Sequence, residues 1–543
     1  MLANWRKRVI DEMSQQVYEL VIWPEHFLRR VNAEVDFSFI NELCAPAYHN
    51  GSSQGGRAAE APERIFRALL LLVLYGLPSE TCLVREIGVN LAFRWFCGLG
   101  LRERVFDHSL FYVVRQRLGV ARFEQVLARI FQQCMAQGLV SHEWAFYDMT
   151  AIEASATVYT PYERAVILAR AVWRLLERGP GVPAGGDPNQ PLAEAEGNLK
   201  RLVAEVAKEV VQAKQSRVVN IERGMEQLAK KQEQPAQSLG QRARVARQLS
   251  QGQEQPTHLS RQAIKTVMEA MKERIPHAKG DQTARVGRVK KGEYFCGYLS
   301  GIMIDGKYNI IGATHLEPGN AFQAHALLNS GVAEVYKINA GQAPAQAAFD
   351  AAFGYPGVVL HLAQLWPHSQ VFVEPHPPPP LRPEQRQIFL ADQFTLLEDD
   401  RLLCPNTALP ETQRQMRVQA RRQDGTLEYA GQGCANCGLR SQCTTKKNGP
   451  RIIKLHPQQY RIGQAMQAQA KTPEHKAALR QRMASIEPVF GHGKHHHRWG
   501  KALYRSLEMN RIFNCLMAIG LDIEKLVRYA PRERQRAAMT AKA

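Results

Sequence analysis

EWAFYDMTAIEASAT, residues 143–157, decides the fold class of this 543-residue chain. Its first half is a run of apolar and aromatic side chains of strand length, and it passes into a polar, small-residue loop, the pattern of a mostly buried β-strand. Asp148 stands inside that run. An isolated carboxylate in such a place is prohibitively costly, so Asp148 must be paired, hydrogen-bonded or metal-bound. Pairing with a nearby arginine is the plain structural alternative to a metal.

Outward from Asp148 the pattern alternates between strand and helix. EYFCGYLSGIMIDGKYNIIGATHLEP, residues 293–318, holds two strand-like runs around Asp305-Gly306, a hairpin signal. A helix is expected over about Ala321 to Val335. QAAFDAAFGYP then places Asp350 directly after a short apolar strand; a further helix and the strand SQVFVEP follow, before the prolines Pro377 to Pro380 mark an exit. The chain becomes helical again around Glu487. This order predicts an α/β fold, a mixed sheet flanked by helices with acids gathered at one edge.

The flanking regions read differently. Residues 1–140 are expected to form an all-helical N-terminal domain that binds DNA, with Ile65, Leu69, Leu70, Val73 and Leu74 at helical spacing. In its segment FDHSLFYVVRQRLG, Asp107 is the expected N-cap, and Arg115 and Arg117 lie near the helix end before Gly119. Those two arginines suit DNA phosphates or, equally, the helix dipole. Residues 161–279 are polar, with a narrow apolar seam from Leu192 to Ala213, and predict a helical or coiled-coil insert in a catalytic domain spanning 141–530. A four-cysteine insert is expected at 381–455, and residues 531–543 read as a disordered basic tail.

Composition narrows the partner. With 70 Lys and Arg against 51 Asp and Glu, the formal charge is +19, which favours a polyanion, nucleic acid first. The start MLANWRKRVIDEM lacks a signal-peptide core, and the longest apolar run, Ala68 to Tyr75, falls short of a membrane span, so a cytoplasmic, nucleoid-associated protein is expected. Six cysteines are scattered singly among apolar neighbours, as buried free thiols are.

Chemistry is expected from two groups. Paired divalent ions held by a few carboxylates can drive phosphodiester displacement, and Asp148, Asp350 and Glu487 are the candidate ligands for Mg2+ or Mn2+, with Glu153 and Glu374 in reserve. Glu487 lies in RMASIEPVFGHGKHHHRWG, where eight Lys or Arg stand against two acids between Lys471 and Arg505. On a helix, Lys494 falls two turns beyond Glu487 on roughly the same side and can hold a phosphate; Arg482 and Arg498 are the neighbouring phosphate candidates. His492, His495, His496 and His497 do not have the spacing of a closed zinc site and are read as facing DNA or solvent. The second group is Cys404, Cys434, Cys437 and Cys443. Four thiolates suit Zn2+ in a zinc-ribbon-like structural site, which can hold small loops that lack a core; an iron–sulfur cluster or metal-free thiols are the alternatives.

The motifs DHSLFYVVRQRLG, FRWFCGL (93–99), DQTAR (281–285), YFCGY (294–298), EPGN (317–320), AAFDAAFG, CANCGLRSQC and IEPVFGHGK together resemble bacterial insertion-sequence transposases of the DDE type, from about Gly56 to Leu526. The resemblance implies a ribonuclease H-like catalytic domain and a magnesium-dependent enzyme. It assigns the metal-binding acids to Asp148, Asp350 and Glu487. The implied activity is binding of terminal inverted repeats in double-stranded DNA, hydrolysis that frees 3′ hydroxyls, and their transfer to target DNA by a dimer or larger assembly. The family's helix signature is met in part: Glu487 and Lys494 keep the spacing, but Arg482 is one place too far from the acid and the tyrosine is missing. The first-acid segment reads YDMT where Asp-Ser-Thr or Asp-Gly-Thr is common. A non-catalytic DNA-binding derivative and a metal nuclease without joining activity are the competing expectations.

Overall fold

The structure, a computed structural model, describes residue 5 and residues 10–48, 59–177, 203, 206, 276–290, 293–377, 389–390, 393–444 and 449–540. Strand β1, Trp144–Glu153, is central. Ala145, Phe146 and Tyr147 are buried, as the apolar run requires. Beyond it, β2 (Thr157–Val158) pairs antiparallel with β3 (Ala278–Lys279) and closes the neck of the 161–279 insert. Of the insert, the helix Pro161–Glu177, Val203, Val206 and the β3 end are described; the rest of the apolar seam lies outside the described residues.

Four more strands complete the main sheet around β1 and its long partner. β4 (Arg285–Lys290) pairs with the start of β5 (Glu293–Asp305), and β5 runs antiparallel to both β1 and β6 (Ile311–Pro318). β5 and β6 form the expected hairpin, although β5 ends at Asp305 and a loop from Gly306 to Ile310 precedes β6. On the other side of β1, β7 (Gln346–Phe349) and β8 (Gln370–Val373) are parallel. The order across the sheet is thus β6-β5-β1-β7-β8, with β4 extending β5. β5 is buried from Phe295 to Asp305, so it reads as a nearly continuous apolar run and not as an alternation.

The single helix expected over Ala321 to Val335 is two, Gln323–Ser330 and Val332–Ala340. Gly331 separates them at φ +64, a left-handed conformation that costs glycine least. Helix Pro356–Leu365 joins β7 to β8, as a parallel pair requires.

Among the described residues, seven α-helices precede the sheet: α1 Glu12–Val21, α2 Phe27–Glu34, α3 Phe39–Cys44, α4 Pro62–Leu74, α5 Glu80–Val89, α6 Leu91–Phe96 and α7 His108–Ala136. Asp107 caps α7 by accepting from the Ser109 N–H, and the helix breaks at Gly119, φ +65, where the sequence places its end. Every residue of α4 from Ala68 to Leu74 is buried, so this helix is covered on all sides. The cover on one side is the last helix, Leu507–Thr540, which packs on α2, α4 and α7 and also on β6. Helices and sheet therefore share one continuous core. Asn514 of that last helix is buried and ties Ser300, Thr314 and the Trp499 indole together.

One expectation is corrected. Residues 531–540 are not a disordered tail but the end of this helix, anchored by Arg534 on Glu34 and by Glu533 on Lys307 and Tyr308. The four-cysteine insert has a core of its own. Its strands β9 (Thr395–Leu396), β10 (Leu402–Leu403), β11 (Gln415–Arg421), β12 (Leu427–Ala430) and β13 (Ile452–Leu455) form a five-stranded sheet. Phe394, Leu402, Met416, Leu427, Tyr429, Ile453 and Leu455 form an apolar cluster of their own there. Among the described residues no helix is long and apolar enough to cross a membrane.

Candidate active site and cysteine centre

Parallel pairing of β1 with β7 sets the first part of the site. Tyr147 stands opposite Phe349, so the next residues, Asp148 and Asp350, come side by side at the carboxyl end of the parallel strands. Phe349 in turn stands opposite Val373, and Glu374 takes the next place in the same row. Asp148 within β1 and the residues that follow β7 and β8, Asp350 and Glu374, thus form one row across three adjacent strands.

The helix Pro473–His496 crosses this row, packing against β1, β7 and β8. Thr472 caps it, and Ala478, Ile486, Val489 and Phe490 turn inward. Arg482 is buried among them and ion-pairs with both aspartates, 2.9 Å to Asp148 and 3.6 Å to Asp350. Two turns earlier, buried His475 lies 3.2 Å from Glu374. Arg482 and His475 are seven residues apart, so they share a face of the helix.

Electrostatics reflect this crowding. Burial pushes the Asp148 carboxyl above its ordinary value, Arg482 and the Met149 N–H pull it down, and Asp350 adds to the rise. The Asp148 side chain keeps 20% of its surface exposed and Asp350 keeps 48%, so the pair opens to solvent on the Asp350 side. Two carboxylates that share one guanidinium keep an excess negative charge and are a donor set that a divalent cation fits, because oxygen ligands and open positions for water and phosphate are what Mg2+ prefers.

Glu487 stands five residues beyond Arg482 on the same helix. It is exposed and makes no ion pair among the described residues. Pro488 follows it inside the helix and cannot donate to the Ala484 carbonyl, which loosens the helical ladder beside the acid. The structure therefore joins Asp148 to Asp350 directly and leaves Glu487 on the helix that bridges them.

The candidate phosphate ligands divide in the same way. Lys494 and Arg498 are exposed, Lys494 near Glu153 and Arg498 in the left-handed region at φ +61. Partial desolvation draws the Lys494 ammonium down and the Glu153 carboxylate draws it up. Arg117 is exposed with its guanidinium 4.6 Å from the Tyr48 ring. Arg115, in contrast, is buried, pairs with Glu80 and stacks on Tyr504, so phosphate has no path to it. Arg482 is likewise engaged by carboxylates. The sequence offers it as a phosphate contact because its ion partners lie more than 130 residues away; a buried arginine seven places after a buried histidine is the signal that could have found its role.

In the insert, Cys404, Cys434, Cys437 and Cys443 line one cavity of about 430 Å3. Burial raises the Cys443 thiol, Arg451 opposes it, and the charges of the other three cysteines raise it further. Asn406 donates to the Cys437 sulfur at 3.6 Å. The sulfurs face one chamber without closing to within 4.8 Å of one another as a group. As a donor set, four thiols around one space fit zinc.

Two protein families match the chain. Residues 15–117 match the Transposase domain (DUF772), and residues 403–527 match the Transposase DDE domain. The second match contains the cysteine centre, Arg482, Glu487 and Lys494; Asp148 and Asp350 lie between the two matches. No curated protein and no solved structure matches the chain significantly.

Proposed function

We propose, from the premise that this chain belongs to the DDE-type insertion-sequence transposases, that it cuts and joins DNA strands at Asp148, Asp350 and Glu487. The observation that carries the reading is the parallel register that sets Asp148 beside Asp350 beneath Arg482. The strand order β6-β5-β1-β7-β8, three antiparallel strands followed by two parallel ones, supports a ribonuclease H-like catalytic domain.

The two aspartates and Glu487 would hold Mg2+ or Mn2+. When bound, the metal supplies activation of a water or 3′ hydroxyl and neutralises charge on the leaving oxygen. The chain's own residues do the rest. Arg482 bridges the aspartates before loading and holds both carboxylates toward one point. Glu487 lies on the exposed flank of the bridging helix, roughly 140° round from Arg482, and would reach that point only by a rotation of the helix on metal and DNA binding. Lys494 and Arg498 hold backbone phosphates along the exposed side of the helix, and Arg117 extends the contact onto the N-terminal helices. The excess positive charge draws the DNA in from a distance.

Cys404, Cys434, Cys437 and Cys443 are proposed to bind zinc and to lock the insert between Asp350 and Glu487. By the family resemblance, the working assembly on the two DNA ends is a dimer or larger.

The test uses DNA carrying the inverted repeats of the element, with Mg2+ or Mn2+. Nicks ending in 3′ hydroxyls and strand-joined products are expected, and both disappear in Asp148→Ala. Cleavage without joining would identify a nuclease instead. Unchanged activity in Asp148→Ala sinks the site assignment.

A further inference from the structure

The sequence expectation that the histidines after Glu487 only face DNA or solvent changes once the last helix is in place. Among the described residues, the one group of at least three His, Cys, Asp or Glu whose ligand atoms all lie within 4.8 Å of one another is His492, His497 and Glu524. His492 Nε2 is 2.9 Å from one Glu524 oxygen, His497 Nε2 is 3.3 Å from the other, and the two imidazole nitrogens are 3.2 Å apart. Ligands about 2.0–2.1 Å from a tetrahedral zinc are separated by about 3.3–3.4 Å, so this spacing already resembles a coordination edge.

The second nitrogen of His497 decides what can sit between them. His497 Nδ1 lies 3.0 Å from the Val73 carbonyl, which can only accept, so Nδ1 carries the hydrogen. Neutral His497 then presents a bare lone pair to a carboxylate oxygen and to a second imidazole. Three potential ligand atoms converge on one point, which a proton shared with Glu524 or a metal cation would satisfy. A backbone carbonyl that fixes the tautomer and ring of a buried histidine is also the usual support of a metal-ligating imidazole. His497 is 3% exposed, whereas His492 is 47% exposed and leaves the site open to an entering ion.

We propose that His492, His497 and Glu524 form a second transition-metal site, for Zn2+ or a similar first-row divalent ion. Two imidazoles and a carboxylate suit these ions better than Mg2+, which prefers oxygen. Three segments meet at the site: the end of the helix bearing Glu487, the last helix, and the C-terminal turn of α4. The fit there is close, since a Cβ on Gly76 would stand 2.7 Å from the His496 carbonyl. A bound ion clamps the helix that carries Glu487 and Lys494 to the N-terminal helices. The site is separate from the acidic centre and from the cysteines.

The test is metal binding by the full chain after chelation and re-addition of Zn2+ or Co2+. The parent is expected to bind one equivalent more than His492→Ala and one more than Glu524→Gln, while Asp350→Ala keeps this equivalent. With Co2+, His492→Ala should lose part of the visible d–d absorption and none of the near-ultraviolet thiolate band. His492 is at the surface, so its variant folds; circular dichroism confirms this. Equal stoichiometry and spectra in parent and His492→Ala would overturn the proposal and leave a proton on His497 as the cation. Loss of DNA cleavage in Asp350→Ala with this site intact separates the fate of this inference from that of the acidic centre.

Discussion

The acidic centre and the cysteine centre are built on opposite plans. Asp148 and Arg482 are 334 residues apart and meet only because the sheet and the crossing helix bring them together. The four cysteines come from one segment, Cys404 to Cys443, folded around a small core of its own. Carboxylates on strand ends depend on register, since one residue of slip would turn Asp148 to the other face. Thiols on local turns depend on little beyond their own loop and, under the zinc proposal, the ion. The first centre should therefore respond to changes across the molecule, the second mainly to its ligands.

The largest effect tests the acidic centre. Asp350→Ala is expected to lower strand cleavage about 1,000-fold or more, because losing several kcal/mol of charge stabilisation removes that much rate, with the fold intact by circular dichroism. Residual cleavage within about tenfold of the parent would break the first half of the comparison. The cysteine centre should answer locally. Cys437→Ser, or zinc chelation, is expected to speed proteolysis within residues 393–455 on the order of tenfold while the main sheet stays protected. Global unfolding would show that the insert's core does not stand apart.

Smaller effects concern charge. The fold holds the Asp148 carboxyl above its free value of 3.8, so the charged form costs stability. That cost is absent below the free value, grows as pH rises through the window above it, and is fully present at about pH 8. Asp148→Asn should thus raise the Tm by roughly 1–2 °C at about pH 8 and leave it unchanged near about pH 3. A lower Tm at the higher pH would mean that the Arg482 pair outweighs desolvation. The smallest effect is at Glu533, held down from 4.5 to about 2, first by the hydrogen bond from Lys307 and next by that from Tyr308. A lowered acid stabilises above its free value and loses that contribution as pH falls toward about 2. Glu533→Gln should therefore lower the Tm slightly at neutral pH and not at about pH 2; no difference at either pH would mean that the end of the last helix is not docked in solution.

Much of the acidic centre is legible in the sequence because strand signals are local. EWAFYDM and QAAFD each put an aspartate at the right place on an apolar strand, and Asp305-Gly306 marks the hairpin between them. Glu374 is visible as a strand-end acid for the same reason. Arg115 misleads, since nothing near it in sequence reveals Glu80 or Tyr504 as partners. The histidines mislead similarly, for Glu524 lies 27 residues beyond His497 on another helix. The residues after Pro531 look like a tail because they are charged, yet the charges anchor a helix on Glu34 and Lys307.

The sequence alone determined the residue types at each strand end, the break at Gly119 and the thiol content of the insert, because each follows from a few neighbouring residues. Tertiary structure decided which charges meet. Arg482 became the bridge between two aspartates, and Glu524 became the partner of His492 and His497, because an ion pair or a ligand set is defined by distance in space, and only packing of the last two long helices against the sheet and α4 sets those distances.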